Sequence, residues 1–267
     1  MCKRELYTVI TGASRGLGKS LAIECASKGR NLILVSLPNE SVSQTAKELS
    51  NEYNIKAVHY ETDLTKEYNV ISLAGWIKTN YQIDMLINNA GVGGTKHFEE
   101  AVCDYIDVII NLNMRALTLL THQLLPILKL QKKAHILNIA SLAALGPMPY
   151  KTIYPASKAF VSSFSRGLNA ELKGTNVTVS VAYPGGMATN PEITERIEKY
   201  NWLIQSTFLS PKKIAKICIN QTLSRRIVIV PGFANKISRL FIRLVPEGIR
   251  LDLFRKNLQN EMIIKST

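Results

Sequence analysis

The chain has 267 residues, 46% of them hydrophobic and 20% charged, and carries a net charge of +13. This composition excludes a disordered chain, and no uncharged apolar run approaches the roughly 20 residues that a transmembrane helix needs. The four cysteines form no CxxC pair and the N-terminus lacks a secretory signal, so we expect no disulfide framework, no metal site and a cytoplasmic location.

Short apolar runs alternate with segments of helical spacing along the chain. The apolar runs occupy 6–11, 31–36, 55–60, 83–88, 134–140, 177–183 and 226–230. Helical spacing covers, for example, 41–53 and 17–29, the latter with a C-cap glycine expected at Gly29. Strands of nearly continuous Val, Ile and Leu are typical of a parallel sheet that helices cover on both faces. The sequence therefore predicts an α/β fold: a single doubly wound Rossmann-type domain of about seven parallel strands, over residues 1–230.

The first predicted strand runs directly into a glycine-rich turn, TGASRGLG at 11–18, and a helix follows it. Gly12 and Gly16 allow the backbone to turn tightly and to approach a pyrophosphate, whose charge a helix N-terminus stabilises. Gly18 removes a side chain where the helix presses on the sheet. The spacing differs from the commonest dinucleotide fingerprint, so an ordinary strand-to-helix turn remains an alternative for this motif taken alone.

Residues around the second and third strands bear on which nicotinamide cofactor such a turn would bind. The second strand ends in Ser36 and Leu37, where NAD binding predicts a ribose-binding Asp or Glu. Arg15 in the glycine turn is either a partner for a 2′-phosphate or a solvated loop charge. Asp63 follows the third strand, where it meets an adenine edge, caps a helix, or does both. The pattern favours NADP(H), with NAD(H) as the alternative.

The stretch YPASK places Tyr154 and Lys158 one helical turn apart. Such a pair alone is typical of a solvated helix face. Ser141, thirteen residues upstream at the end of a buried strand, favours a catalytic interpretation, because parallel sheets bind ligands at the carboxyl ends of their strands. A tyrosine titrates near 10 in water, so a neighbouring ammonium group is needed to favour its phenolate at neutral pH.

Together these motifs resemble the short-chain dehydrogenase/reductase family. The matching segments stand in the family's order: TGASRGLG (11–18), DL (63–64), NNAG (88–91), NLNMRA (111–116), NIAS (138–141), YPASK (154–158) and PGGMAT (184–189). The resemblance implies a seven-stranded Rossmann-type domain, a nicotinamide cofactor that supplies the hydride, and assembly into homodimers or homotetramers.

The resemblance also implies the roles of individual residues. Ser141 is similar to the residue that binds the substrate oxygen, and Tyr154 to the general acid or base. Lys158 is similar to the lysine that holds the nicotinamide ribose and lowers the tyrosine pKa, and Asn113 to the asparagine that anchors a water in the proton relay. The positions implied to contact the cofactor are Gly12, Ser14, Arg15, Gly16, Leu17, Gly18, Asp63, Leu64, Asn89, Ala90, Gly91, Tyr154, Lys158, Pro184, Gly185, Met187 and Thr189.

Three other polar residues are expected to play no part in the chemistry or only a peripheral one. Asn88 is interpreted as a tie between neighbouring strands, and Tyr150 as pocket wall or surface. His97 follows the NNAG loop, where it faces either the pocket or solvent. None of the histidines shows metal-ligand spacing.

The segment 187–210 occupies the family's variable lid region and has one strongly apolar face. Two interpretations stay open for it: a helix that packs on the core, or a pocket for a lipophilic carbonyl compound. Residues 231–267 form a predicted basic amphipathic extension, interrupted at Pro246. It either docks on the domain or a sister subunit with its basic face solvated, or it contacts an anionic membrane or an acyl carrier.

The sequence thus predicts an NADP(H)-dependent oxidoreductase that interconverts a small-molecule carbonyl and alcohol pair. The resemblance implies several candidate substrates: 3-oxoacyl chains, steroids, ketosphingoid-like compounds, or general aldehydes and ketones. The alternative is a catalytically idle dinucleotide-binding protein with a sensing or interaction role. Nucleic-acid binding is not expected, because the chain has no recognisable reading motif and no basic strand interleaved with aromatic residues.

Overall fold

A computed structural model describes residues 5–187 and 207–255 of the chain. Its strands are β1 (Leu6–Thr11), β2 (Asn31–Ser36), β3 (Ala57–Glu61), β4 (Gln82–Asn88), β5 (Ala134–Ile139), β6 (Val177–Ala182) and β7 (Val228–Ile229). Its α-helices are α1 (Gly16–Ala26), α2 (Val42–Tyr53), α3 (Glu67–Asn80), α4 (Cys103–Ile110), α5 (Leu117–Lys129), α6 (Ile153–Glu171), α7 (Pro211–Leu223) and α8 (Phe233–Leu244). A π-helical turn (Asn111–Ala116) joins α4 to α5, a 3₁₀ turn (Leu142–Leu145) follows β5, and residues 247–255 are also helical.

The strands form one parallel sheet in the order β3-β2-β1-β4-β5-β6-β7. The chain moves outward from β1 to β3 and then returns to place β4 on the other side of β1. This reversal opens a crevice beyond the carboxyl ends of β1 and β4, which is where sheets of this kind bind ligands. The prediction of a single doubly wound Rossmann-type domain with seven parallel strands is confirmed.

Alternate residues of each inner strand supply the two faces of the core. In β1 and β2, Ile10 and Leu34 pack with α1, α2 and α7, whereas Val9 and Ile33 pack with α3 and α5 on the opposite face. All four side chains are completely buried. Successive side chains of a strand point to opposite faces, so a continuous apolar run is what a sheet covered on both sides requires.

A chain of buried amide and hydroxyl groups crosses the middle of the sheet. Asn88 at the end of β4 donates to Asn138 of β5 at 2.8 Å and to Thr121 of α5 at 3.0 Å. Asn138 in turn donates to Ser165 of α6 at 2.8 Å. Each of these four side chains therefore has a hydrogen-bond partner, and Asn88 ties strands and helices together rather than facing the crevice.

Several element ends differ from the sequence prediction. The helix α1 ends at Ala26, and Gly29 lies in the turn beyond it with a φ of +68°. Strand β3 begins at Ala57, and β7 has only two residues. Apolar periodicity does not show where the ladder partners of an edge strand stop, and β7 pairs with β6 alone.

The predicted lid, 187–210, lies mostly outside the described residues. Its two ends meet, because Met187 and Leu209 form a parallel bridge. The predicted helix after β7 is present as α8, and it stops before Pro246. The boundary between a domain over 1–230 and an extension over 231–267 stays a prediction. Within the two described ranges, no helix combines the length and apolar character needed to span a membrane.

Candidate active site

A cavity of about 740 Å³ opens at the carboxyl edge of the sheet. It brings together most of the residues that the sequence singled out. Those that line it are Gly12, Ser14, Arg15, Leu17, Gly18, Asp63, Leu64, Asn89, Ala90, Gly91, Ser141, Tyr154, Lys158, Pro184, Gly185 and Met187. Gly16 and Asn113 are not part of its wall, and Thr189 lies outside the described residues.

The glycine turn leaves no room for side chains at two of its positions. A Cβ on Gly12 would lie 2.9 Å from the Ala90 Cα, and a Cβ on Gly18 would lie 1.8 Å from the Gly12 carbonyl oxygen. Gly12 and Gly16 also have φ angles of +64° and +55°, which strain any residue with a side chain. Gly16 therefore shapes the turn from outside the cavity wall.

The start of α1 suits a negatively charged group. Its N-cap residue, Arg15, makes no side-chain cap, and the first turn contains no acidic residue. The first N–H groups of a helix lack intrahelical partners, so here they remain available for an anion. Asn89 braces the turn from β4 by donating to the carbonyl oxygens of Thr11 and Gly12 at 3.0 and 3.1 Å. These residues fit the pyrophosphate of a dinucleotide.

Glu40, which the sequence analysis did not identify, occupies the wall beside this turn. Its carboxylate lies 3.2 Å from the guanidinium of Arg15 and accepts a hydrogen bond from the Ser14 hydroxyl at 2.6 Å. The positively charged partner predicted for a 2′-phosphate is therefore already paired with a carboxylate. The only signal in the sequence was an acidic residue shortly after β2, four positions beyond Ser36.

Asp63 combines a place in the wall with a local structural role. Its carboxylate accepts from the backbone N–H of Thr65 at 2.9 Å and from the Thr65 hydroxyl. The helix that follows, α3, begins only at Glu67, so Asp63 organises the turn before the helix rather than its first residue.

Ser141, Tyr154 and Lys158 meet at the inner end of the cavity. Ser141 lies two positions beyond the end of β5, and Tyr154 and Lys158 lie on the first turns of α6. Burial raises the pKa of the Tyr154 hydroxyl above its ordinary value, and a hydrogen bond with Ser141 opposes that rise. The resemblance implied a lowered pKa for this tyrosine; the structure differs because the effect of burial outweighs that of the hydrogen bond with Ser141.

Lys158 is 5% exposed, and its ammonium group donates to the Ile139 carbonyl oxygen at 2.9 Å. The same nitrogen lies 5.8 Å from the centre of the Tyr154 ring. Burial lowers the pKa of Lys158 from 10.5 to about 8. The ammonium is thus still predominantly charged at neutral pH, and it faces the cavity beside the tyrosine.

Asn113 supports the site from behind the cavity wall. It lies in the π-helical turn, accepts from the Val92 N–H at 2.9 Å, and donates to the Val92 carbonyl oxygen and the Ser157 hydroxyl. Ser157 itself donates to the carbonyl oxygen of Tyr154 at 2.8 Å. The Asn113 side chain therefore joins the loop after β4 to the start of α6, and its role in a water relay stays a prediction.

Gly93 is a second residue that the sequence analysis did not identify. A Cβ at this position would lie 2.6 Å from the Tyr154 ring, so the loop after β4 passes directly against the tyrosine. Tyr150 and His97 are directed elsewhere: their rings contact each other with centres 5.0 Å apart, and neither lines the large cavity.

Comparison with known proteins identifies relatives of this chain. The family model described as "short chain dehydrogenase" matches residues 7–199. A very-long-chain 3-oxoacyl-CoA reductase from Anas platyrhynchos is 33% identical over 189 residues, which cover 68% of this chain and 60% of that protein. The chain thus spans about three fifths of the length of that reductase.

Two further relatives match nearly the whole chain. The human protein named inactive hydroxysteroid dehydrogenase-like protein 1 is 27% identical over 265 residues, covering 96% of this chain and 78% of that protein. A short-chain dehydrogenase from Sphingobium yanoikuyae, solved in complex with NADPH, superposes with a TM-score of 0.77 at 26% identity and covers 96% of this chain and 95% of its own. Sequence, sheet order and site agree: the chain belongs to the short-chain dehydrogenase family.

Proposed function

We propose that this protein is an NADP(H)-dependent oxidoreductase that reduces a ketone or aldehyde to an alcohol by hydride transfer. The observation that carries the proposal is the meeting of Ser141, Tyr154 and a charged, buried Lys158 at the end of a cavity whose glycine turn suits a dinucleotide. When bound, the nicotinamide supplies the hydride. The protein then has to bind the carbonyl oxygen and deliver one proton to it.

The side chains of the cluster suit this task in the reducing direction. The raised pKa of Tyr154 keeps its hydroxyl protonated at neutral pH, so it is a proton donor for the alkoxide that forms. The Ser141 hydroxyl bonds the same substrate oxygen and holds it near the tyrosine. The Lys158 ammonium stabilises the phenolate that remains after proton transfer, because opposite charges attract strongly where water is excluded.

NADP(H) is the proposed cofactor. The NADPH complex of the Sphingobium relative supports it, as does the place of Arg15 in the cavity wall. A 2′-phosphate carries more negative charge than a carboxylate and offers more acceptor oxygens, so it can take over the guanidinium from Glu40. The presence of Glu40 nevertheless weakens the preference, and we expect NAD(H) to be used less efficiently rather than rejected.

The proposed substrate is a lipophilic 3-oxoacyl compound. The reductase from Anas platyrhynchos is named for such a substrate. Several apolar side chains line the cavity: Val92, Val108, Leu112 and Met187. The proposal extends to a cytoplasmic location. It also extends to a homodimer or homotetramer, and light scattering of the purified protein would test this oligomeric state.

NADPH oxidation with 3-oxoacyl-CoA esters of increasing chain length tests the function. We expect turnover that improves with chain length, and we expect Tyr154→Phe to lose at least about a hundredfold in kcat while binding NADPH normally. Tyr68→Phe is the control, since Tyr68 is an 80% exposed tyrosine on α3. Wild-type turnover by Tyr154→Phe would refute the mechanism.

A catalytically idle dinucleotide-binding protein is the second candidate. It is favoured by the likeness to the human relative whose name calls it inactive, because that match covers 96% of this chain. Tight NADPH binding without turnover on ketones, steroids or 3-oxoacyl esters would support this candidate over the first.

A further inference from the structure

The helix α8 turns its apolar side away from the rest of the domain that the structure describes. Phe233, Ile237, Leu240 and Leu244 are spaced four, three and four residues apart, so they lie along one face of the helix. Each is between 53% and 78% exposed. A helix on the surface of a soluble domain normally does the reverse and directs such a stripe toward the core.

The opposite, polar side of α8 is the one that packs on the domain. Asn235 is 1% exposed and donates to the Pro231 carbonyl oxygen at 2.8 Å. Its side chain also fills the space beside Gly185, where a Cβ would lie 2.6 Å from the asparagine oxygen. The Arg239 guanidinium lies over the Tyr183 ring, 5.5 Å from its centre. These contacts anchor the helix in the orientation that leaves its apolar stripe outward.

The helical residues after Pro246 repeat this arrangement. Ile249 and Leu253, four positions apart, are 62% and 53% exposed. Arg250 points inward instead, where its guanidinium pairs with Glu247 at 3.5 Å and donates to the Leu145 carbonyl oxygen at 3.4 Å. We refer to the six outward side chains as the C-terminal apolar surface: Phe233, Ile237, Leu240, Leu244, Ile249 and Leu253.

Both helical segments attach beside the cavity. Gly185, against which Asn235 packs, lines the cavity wall. Leu145, which accepts the bond from Arg250, ends the 3₁₀ turn that starts directly after Ser141. The C-terminal apolar surface is therefore held by the same loops that carry the site of Ser141 and the cavity wall at Gly185.

We propose that the C-terminal apolar surface binds the interface of an anionic lipid bilayer. Large outward apolar side chains need an apolar cover, and an interfacial helix inserts such a face among lipid headgroups and acyl chains. The charge identifies the kind of bilayer: residues 225–267 contain nine Lys or Arg and three Asp or Glu, and Lys236 is exposed on α8 itself. Anionic lipids attract basic residues near the surface.

The same charge disfavours two other occupants. A second copy of the chain would bring an equally basic segment against this one. An acidic carrier protein would complement the positive charge but would not offer an apolar layer deep enough for six large side chains. Bilayer contact also places the cavity next to a store of lipophilic molecules; this last step rests on the proposed function, whereas binding to lipid does not.

Flotation of the full chain with lipid vesicles tests the proposal. We compare vesicles of phosphatidylcholine alone with vesicles that contain phosphatidylglycerol as well, without cofactor or substrate, at low and high salt. Binding is expected to the anionic vesicles and to weaken with salt. Leu240→Glu and, separately, Phe233→Glu should each lower the affinity about tenfold or more, because each replaces a large inserted apolar side chain by a charge.

Leu130→Glu is the matched control, since Leu130 is 79% exposed at the end of α5, and it should bind like the wild type. Circular dichroism checks that each variant is folded. Absence of binding to anionic vesicles at low salt, or equal binding by wild type and both variants, would overturn the proposal. The proposal would also be overturned if the wild type formed a dimer that Leu240→Glu dissociates and did not bind vesicles, since that result would assign the surface to contact between copies of the chain. Reduction of a short, water-soluble ketone by the same samples tests the proposed function separately.

Discussion

Replacement of Lys158 by methionine examines the most unusual electrostatic feature of the site. Lys158→Met keeps the length of the side chain and removes a charge that is buried at the inner end of the cavity. Turnover is expected to collapse, because no ammonium then remains beside Tyr154. The more discriminating readout is the stability of the cofactor-free protein as a function of pH.

The expected stability change follows from the pKa. Burial lowers the pKa of Lys158 from 10.5 to about 8, so the folded chain binds this proton less tightly than the unfolded chain. Below pH 8 both states carry the charge, and its burial costs the folded state about 3 kcal/mol. As the pH rises from 8 toward 10.5 the folded state loses the proton first, so the cost falls and the wild type gains stability.

Between pH 7 and pH 9 this gain amounts to about 1.4 kcal/mol, and Lys158→Met cannot show it. Because the comparison is between two pH values, the constant contribution of the lost bond to the Ile139 carbonyl oxygen cancels. Urea denaturation of both proteins at pH 7 and pH 9 measures the difference. Lys129→Met, which removes an exposed lysine on α5, is the control and should follow the wild type.

A stability difference between wild type and Lys158→Met that stays the same at both pH values would refute this reasoning. It would mean that the ammonium group is solvated in the folded protein. The claim that a buried charge stabilises the phenolate of Tyr154 would then fail.

Four more substitutions, with Gly167→Ala as a control, test other parts of the site. Gly18→Ala should abolish NADPH binding and destabilise the fold, because the new Cβ would lie 1.8 Å from the Gly12 carbonyl oxygen. Gly167→Ala is the control: its Cβ would meet open space on the exposed side of α6, so it should stabilise the folded protein by about 0.5–1 kcal/mol. Asn113→Ala removes hydrogen bonds that join the loop after β4 to α6, and urea denaturation should show a loss of about 2–4 kcal/mol. Glu40→Gln should tighten NADPH more than NADH in a fluorescence titration, and Arg15→Ala should weaken NADPH more than NADH.

Three of these expectations have a clear contrary outcome. Normal NADPH binding by Gly18→Ala would show that the turn can open, and the pyrophosphate site would then be misplaced. Unchanged stability of Asn113→Ala would remove its role as a clamp. If Glu40→Gln changed the affinities for NADPH and NADH equally, the carboxylate would not compete with a 2′-phosphate for the guanidinium.

The sequence patterns by themselves determined the fold class, and the resemblance to a known family added most of the cavity wall. The glycine turn, the apolar strands and the Tyr154–Lys158 pair are local patterns that near neighbours in the chain reveal, although the pair takes its catalytic interpretation from Ser141 upstream. Parallel strands then bring their carboxyl ends to one edge, so Ser141 and the loop at Asn89 had to lie near the glycine turn once the alternation of strands and helices was recognised.

Only the tertiary structure decided what depends on contacts between distant segments. It placed Glu40 against Arg15, engaged the Asn113 side chain with Val92 and Ser157, and buried the Lys158 ammonium deeply enough to lower its pKa. The apolar stripe of α8 was readable as a pattern, but periodicity shows only that a helix has two faces. Which face meets the domain depends on the surface it docks against, and here the contacts of Asn235 with Pro231 and Gly185 direct the apolar face outward.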